Sequence, residues 1–174
     1  MTQFAVPPVY ADYSKTENMG DRTIFLAGPI QGADDWQAQA CKNLNFPSLD
    51  LVVANPRRSD KTWEFQFDIQ VDWEVFHLDK AAEKGSVLFY LSKEAQHNCD
   101  RAYAQTTRLE LGWMMAMHKA GFCKNLIICY ETGFTGLRYI KRRLATDRAF
   151  ADVILTDCLA MATSYAHIKA TCNT

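Results

Sequence analysis

The sequence predicts a single three-layer α/β sandwich built on a parallel sheet. Two observations carry that expectation. Five short apolar runs recur along the chain (TIFLA at 23–27, LVVA at 51–54, SVLFYL at 86–91, NLIICY at 125–130, DVILT at 152–156), and each is followed by a segment with helical spacing. Strands that are apolar on both faces need cover on both faces, and a parallel sheet between two helical layers supplies it. The 174 residues suffice for one domain with a full core and are too few to expect two.

Residues 1–21 are mostly polar, contain a Pro-Pro pair and hold no period, so they read as a flexible N-terminal arm ahead of one domain over 22–174. TIFLA opens a five-stranded sheet and WQAQACKNL (36–44) reads as the first helix. LVVA is the second strand. FQFDIQVDWEVFHLDKAAEKG (65–85) follows as a long amphipathic helix closed by glycine. SVLFYL is the third strand and TRLELGWMMAMHKAG (107–121) a second helix that stops at glycine. NLIICY, the helical GLRYIKRRLA, the short strand DVILT and the closing helix CLAMATSYAHIKA complete the chain.

Charge and cysteine usage exclude several classes. Lys and Arg total 19 against 20 Asp and Glu, a formal charge of −1, so no global field recruits nucleic acid or an acidic membrane. The six cysteines form no C-x-x-C pair and no finger spacing, which points to reduced thiols in a cytoplasmic protein. The first residues lack a basic n-region, and no run approaches the roughly 18 apolar residues of a membrane span. A soluble chain with a small-molecule partner is expected.

In open parallel sheets, ligands bind beyond the carboxyl ends of the strands. The segments there are GPIQGADDW (28–36), NPRRSDKTW (55–63), SKEAQHNCDRAYAQTT (92–107) and ETGFTG (131–136). Gly28 allows close approach to backbone and Pro29 stiffens the turn, although GPIQG matches neither G-x-G-x-x-G nor a P-loop. Asn55 and Arg57 are candidates to line a site, as are Trp36, Trp63 and Trp73 to stack on a planar base, against the alternatives of a solvated loop and of core aromatics. Glu74 and His77 lie three apart on one helix, where an exposed acid–base pair is the alternative. A metal there lacks a third ligand, so no metal or other cofactor is expected. RYIKRR (138–143) reads as a solvated or subunit-contact face.

The residue that stands out is Glu110 in TTRLELGWMM. At helical spacing it shares a face with Trp113, Met114 and Met117, which puts a carboxylate on an apolar wall. One reading is structural: Thr107 as N-cap and Glu110 three residues on form a capping box. The other is chemical: in the first turn the helix dipole keeps the carboxylate ionised, as a nucleophile requires.

Taken in order, IFLAGPIQG, Trp36, NPRR, WEVFHL, SVLFYL and RLELG resemble the nucleoside 2-deoxyribosyltransferase-like family over roughly residues 23–130. The resemblance implies a flavodoxin-like sheet and an attack on the anomeric carbon of a deoxynucleoside by the glutamate of the ELG motif, here Glu110. Deoxynucleosides and nucleobases are then the partners, in a homo-oligomer whose neighbouring subunit helps to complete the pocket. Where many members carry an aspartate before the third strand this chain offers His77, with Glu74 nearby. Members that act on monophosphates carry an arginine where this chain has Gln31, which favours nucleosides. The loop over 92–107 is longer than in compact transferases. Whether a base or water accepts the sugar stays open between transferase and N-glycosidase, and a non-catalytic binding module is the third alternative.

Overall fold

The computed structural model describes residues 2–5, 22–45, 51–58 and 67–172. Six parallel strands form one sheet: β1 (Gln3–Ala5), β2 (Arg22–Ala27), β3 (Leu51–Ala54), β4 (Ser86–Leu91), β5 (Leu126–Tyr130) and β6 (Ile154–Thr156). The helices are α1 (Trp36–Asn43), α2 (Phe67–Lys84), α3 (Gln105–Lys119), α4 (Leu137–Thr146) and α5 (Leu159–Cys172), with a 3-10 turn at Arg148–Phe150.

The sheet order is β1-β3-β2-β4-β5-β6, so without β1 the strands follow the flavodoxin-like order. The expected five strands are therefore six. The additional one, β1, pairs with β3 through Gln3–Val52, Phe4–Val53 and Ala5–Ala54 and comes from the segment read as an arm. Its stability comes from that edge rather than from its own three residues, and Asn55 N–H donating to Ala5 O extends the pairing. The rest of the arm lies outside the described residues, as does Trp63.

Alternation along the strands splits the core in two. Phe25, Val52, Val87, Phe89 and Ile128 face α2, α3 and α4, while Ile24, Leu26, Val53, Leu88 and Ile127 face α1 and α5. No helix among the described residues is long and apolar enough to cross a membrane. Two glycines shape the core-facing turns. At Gly85, between α2 and β4, a Cβ would lie 1.8 Å from Thr23 O, so only glycine lets the helix end so close to β2. At Gly121 (φ 83°) α3 stops in a Schellman motif, with Phe122 N–H donating to Met117 O at 2.9 Å and Gly121 N–H to His118 O at 3.0 Å.

Candidate active site

The switch point of the sheet lies between β2 and β4, where successive connections leave toward opposite faces. The loop after β2 is held there by Arg57. Its Nε donates to Gln37 Oε1 at 2.9 Å and pairs with Asp35 Oδ1 at 3.2 Å, while Nη2 donates to Ile30 O at 3.1 Å and Asp34 O at 3.2 Å. Asn55 shapes the approach: its Oδ1 accepts from Arg57 N–H at 2.9 Å, an Asx turn. The fork of Arg57 is thus occupied by the protein's own loop, and Arg57 and Asn55 build the site's wall.

Gly28 and Trp36 also turn inward. A Cβ on Gly28 would meet Tyr90 O at 2.6 Å and the Trp36 ring at 2.7 Å, so its missing side chain makes room for the indole rather than for a ligand. Trp36 is buried against Tyr90, and its Nε1–H donates to the carbonyl of buried Pro29 at 3.0 Å. Trp73 has zero exposure. Neither tryptophan presents a face for a base to stack on; each fills core space beneath the loops.

Gln31 is exposed and lines a polar cavity of about 380 Å³ between the loop after β2 and the 92–103 loop, with Gly32, Gln96, His97, Cys99 and Arg101 on the same wall. Gly32 O accepts from Ala95 N–H (2.7 Å) and Gln96 N–H (3.1 Å), joining the two loops. Tyr103 anchors the far end, its hydroxyl donating to Ser92 O at 2.9 Å. Arg108 then ties Tyr103 O to Thr135 O on the loop after β5. Glu94 in this wall is engaged by His97 Nδ1 at 3.0 Å, so the cavity offers recognition groups but no uncommitted carboxylate.

The uncommitted carboxyl is Glu110. The sequence puts it in a first turn capped by Thr107, whereas α3 starts earlier, at Gln105, with Ala104 as N-cap and no side-chain cap. Thr107 is buried inside the helix and Glu110 lies in the second turn, so the capping box does not form. The dipole is weak at that depth. Half-buried, with no hydrogen bond or ion pair to its carboxyl among the described residues, Glu110 is pushed up to about 8 by burial first and by the charge of Glu74 second. Helix placement therefore does not keep it ionised; the site holds its proton.

Glu74 reaches the same region from α2. Burial raises its pKa too, opposed by a hydrogen bond from Gln70 Nε2 to its Oε1 (2.6 Å) and by the charge of Arg58. Gln70 is buried, accepts from Arg58 Nε at 3.0 Å and donates to Pro56 O at 3.2 Å, linking the end of β3 to the carboxyl pair. Sequence reading missed it, although a glutamine four residues before a glutamate on one helix is a visible pairing signal. His77 is fully buried against Trp73 (ring centroids 4.5 Å apart) and against Phe76, with neither ring nitrogen hydrogen-bonded among the described residues. Burial lowers its pKa to about 4, with Lys80 adding to the effect, so it is a neutral core residue one turn from the site. No cluster of three His, Cys, Asp or Glu that could hold a metal occurs among the described residues.

The fold is a doubly wound α/β protein with a polar cavity between the loops at its switch point, and α3 and α2 supply two carboxyl groups of elevated pKa, one feeling the charge of the other, a pair suited to acid–base or nucleophilic work on a small molecule. A family model for nucleoside 2-deoxyribosyltransferase-like proteins matches residues 21–131, and the chain belongs to that family. No curated protein matches the chain by sequence.

Proposed function

We propose that this protein transfers the 2-deoxyribosyl group of a deoxynucleoside between nucleobases through an ester on Glu110. One observation carries the reading: an uncapped carboxyl without a hydrogen-bond partner among the described residues, held beside a second carboxyl in a family named for this reaction. Two like-charged groups that repel share one proton more readily than they lose both. In the active microstate Glu110 is ionised and Glu74 carries the proton. A Glu110 oxygen bonds to C1′, the C1′–N bond breaks, and the departing base takes the Glu74 proton. A nitrogen of a second base then attacks C1′, releases Glu110 and returns its proton to Glu74. A substrate lacking the 2-hydroxyl reaches an oxocarbenium-like transition state more easily, which suits a mechanism with no metal.

Incubation with deoxyadenosine, deoxyinosine or thymidine, with and without an acceptor base, followed by chromatography, tests this. A new nucleoside is the expected product. Free base without new nucleoside reassigns the protein as an N-glycosidase, and unchanged substrate reassigns it as a binding module.

A second reading concerns the substrate's 5′ end. Gln31 in place of arginine favours the free nucleoside, but the same cavity wall carries Arg101 and His97, which favour a phosphate. The ratio of kcat/KM for a deoxynucleoside and its 5′-monophosphate decides between them, and under the phosphate reading Arg101→Gln lowers only the monophosphate value.

A further inference from the structure

Gln70 stands one turn before Glu74 on α2, is buried, and has an amide that its surroundings hold in a single orientation. Arg58 Nε can only donate, and it does so to Gln70 Oε1 at 3.0 Å. Pro56 O can only accept, and it takes a hydrogen from Gln70 Nε2 at 3.2 Å. The other hydrogen of Nε2 goes to Glu74 Oε1 at 2.6 Å. A flipped amide would set oxygen against oxygen at Pro56 and at Glu74, and donor against donor at Arg58. Donation from Arg58 also polarises the amide and strengthens the bond that it gives to Glu74.

A neutral carboxyl has one oxygen that carries the hydrogen and one that is free to accept. We propose that Gln70 is a positioning residue that makes this choice for Glu74, reserving Oε1 as acceptor and leaving Oε2 as the oxygen that protonates the departing base. The Oε2–H bond breaks as the base N–H bond forms, and the second half-reaction reverses the exchange with the incoming base. Oε1 stays bonded to Gln70 throughout. The role rests on the reading of Glu74 as the proton carrier; the contact behind it does not. Position and proton affinity are separable here because they act in opposite directions. The Gln70 bond, like the charge of Arg58, favours ionised Glu74, while burial opposes ionisation and Glu110 feels the resulting charge. On proton affinity alone, removing Gln70 would put the proton on Glu74 more often and speed the reaction. On position, it slows the reaction.

Side-chain NMR of the wild-type chain tests the contact without turnover and without a variant. One Gln70 Nε2 hydrogen should move downfield with the same midpoint as the Glu74 carboxyl carbon, and the other should move far less. Gln70→Met keeps the length and helix preference of the side chain but removes the donor, so the Glu74 midpoint should rise by at least about half a unit. Kinetics then read the role. With deoxyinosine as donor and adenine as acceptor, kcat of Gln70→Met should fall at least about tenfold while KM stays within about twofold, since the buried amide does not touch the substrate. With 7-methyldeoxyguanosine, whose cationic base departs without taking a proton, the fall should be less than about threefold. A deoxyinosine kcat that is unchanged or raised overturns the positioning role, as does an equal fall for both donors or an amide hydrogen that ignores the titration of Glu74. An amide that follows Glu74 in a wild type that turns over no nucleoside overturns the proposed reaction and the role with it.

Discussion

Two influences act on the Glu110 proton, and they separate by mutation. Burial is the larger and the Glu74 charge the smaller, and both hold the proton on up to about pH 8. Because the folded pKa lies above the unfolded value of about 4.5, Glu110 costs no stability in acid and a growing amount as pH rises from about 4.5 through 8. Glu110→Gln removes that cost. The variant should be more stable than wild type at pH 8–9, by on the order of a few kcal/mol, and the two should converge near pH 4.5 in urea titrations. Turnover by the same variant should fall at least about a thousandfold, since an amide cannot readily form the sugar ester. Near-normal activity would remove Glu110 from the chemistry. Glu74→Gln tests the neighbour. Without its charge the acid limb of the kcat/KM profile should move to lower pH, yet stay above the usual carboxyl range because burial persists. An unmoved limb would mean that the two carboxyls are not coupled.

The elements around the site depend on backbone geometry at single positions. Ala104, the N-cap of α3, sits at φ 55° in the left-handed region, where a Cβ costs roughly 1–2 kcal/mol. Ala104→Gly should raise stability by about 0.5–1 kcal/mol after the greater freedom of unfolded glycine is counted. A lower urea midpoint would show that the helix begins differently. At Gly85 the direction reverses. Its neighbour is the backbone of β2, which cannot yield as a flexible side chain does, so Gly85→Ala should cost at least about 3 kcal/mol and much of the soluble yield. A mild effect on the urea midpoint would mean that the junction of α2 with β2 and β4 is looser than its geometry.

At the scale of the whole molecule, the carboxyl pair and the polar cavity are each assembled from chain segments far apart in sequence: Glu110 comes from α3 and Glu74 and Gln70 from α2, while Gln31 and Arg101 line the cavity from loops after two different strands. The groups named are acids, amides and a guanidinium, and the proposed chemistry runs on carboxyl groups alone. Activity should therefore survive exhaustive dialysis against EDTA unchanged. Loss of turnover that a divalent ion restores would require ligands outside the described residues and a different mechanism.

Five strands, five helices and the glycine stop of α3 are legible in the sequence because each is a local pattern: continuous apolar runs for strands buried on both faces, a 3.6-residue period for helices, and a glycine where the chain turns left-handed. Glu110 is legible for the same reason, as an acid on a stripe that is otherwise apolar. Contacts between elements are not written in any one segment. β1 exists only because β3 offers it an edge, and its three residues carry too little pattern to announce a strand. Arg57 and Trp36 look like ligand groups until the loop and core around them occupy their donors and faces. His77 reads as a pairing partner for Glu74 by spacing, yet helix rotation sends one to the core and the other to the site. The sequence alone determined which carboxyl stands out. Only tertiary packing, by drying that carboxyl and bringing Glu74 near it, decided that it holds its proton up to about pH 8.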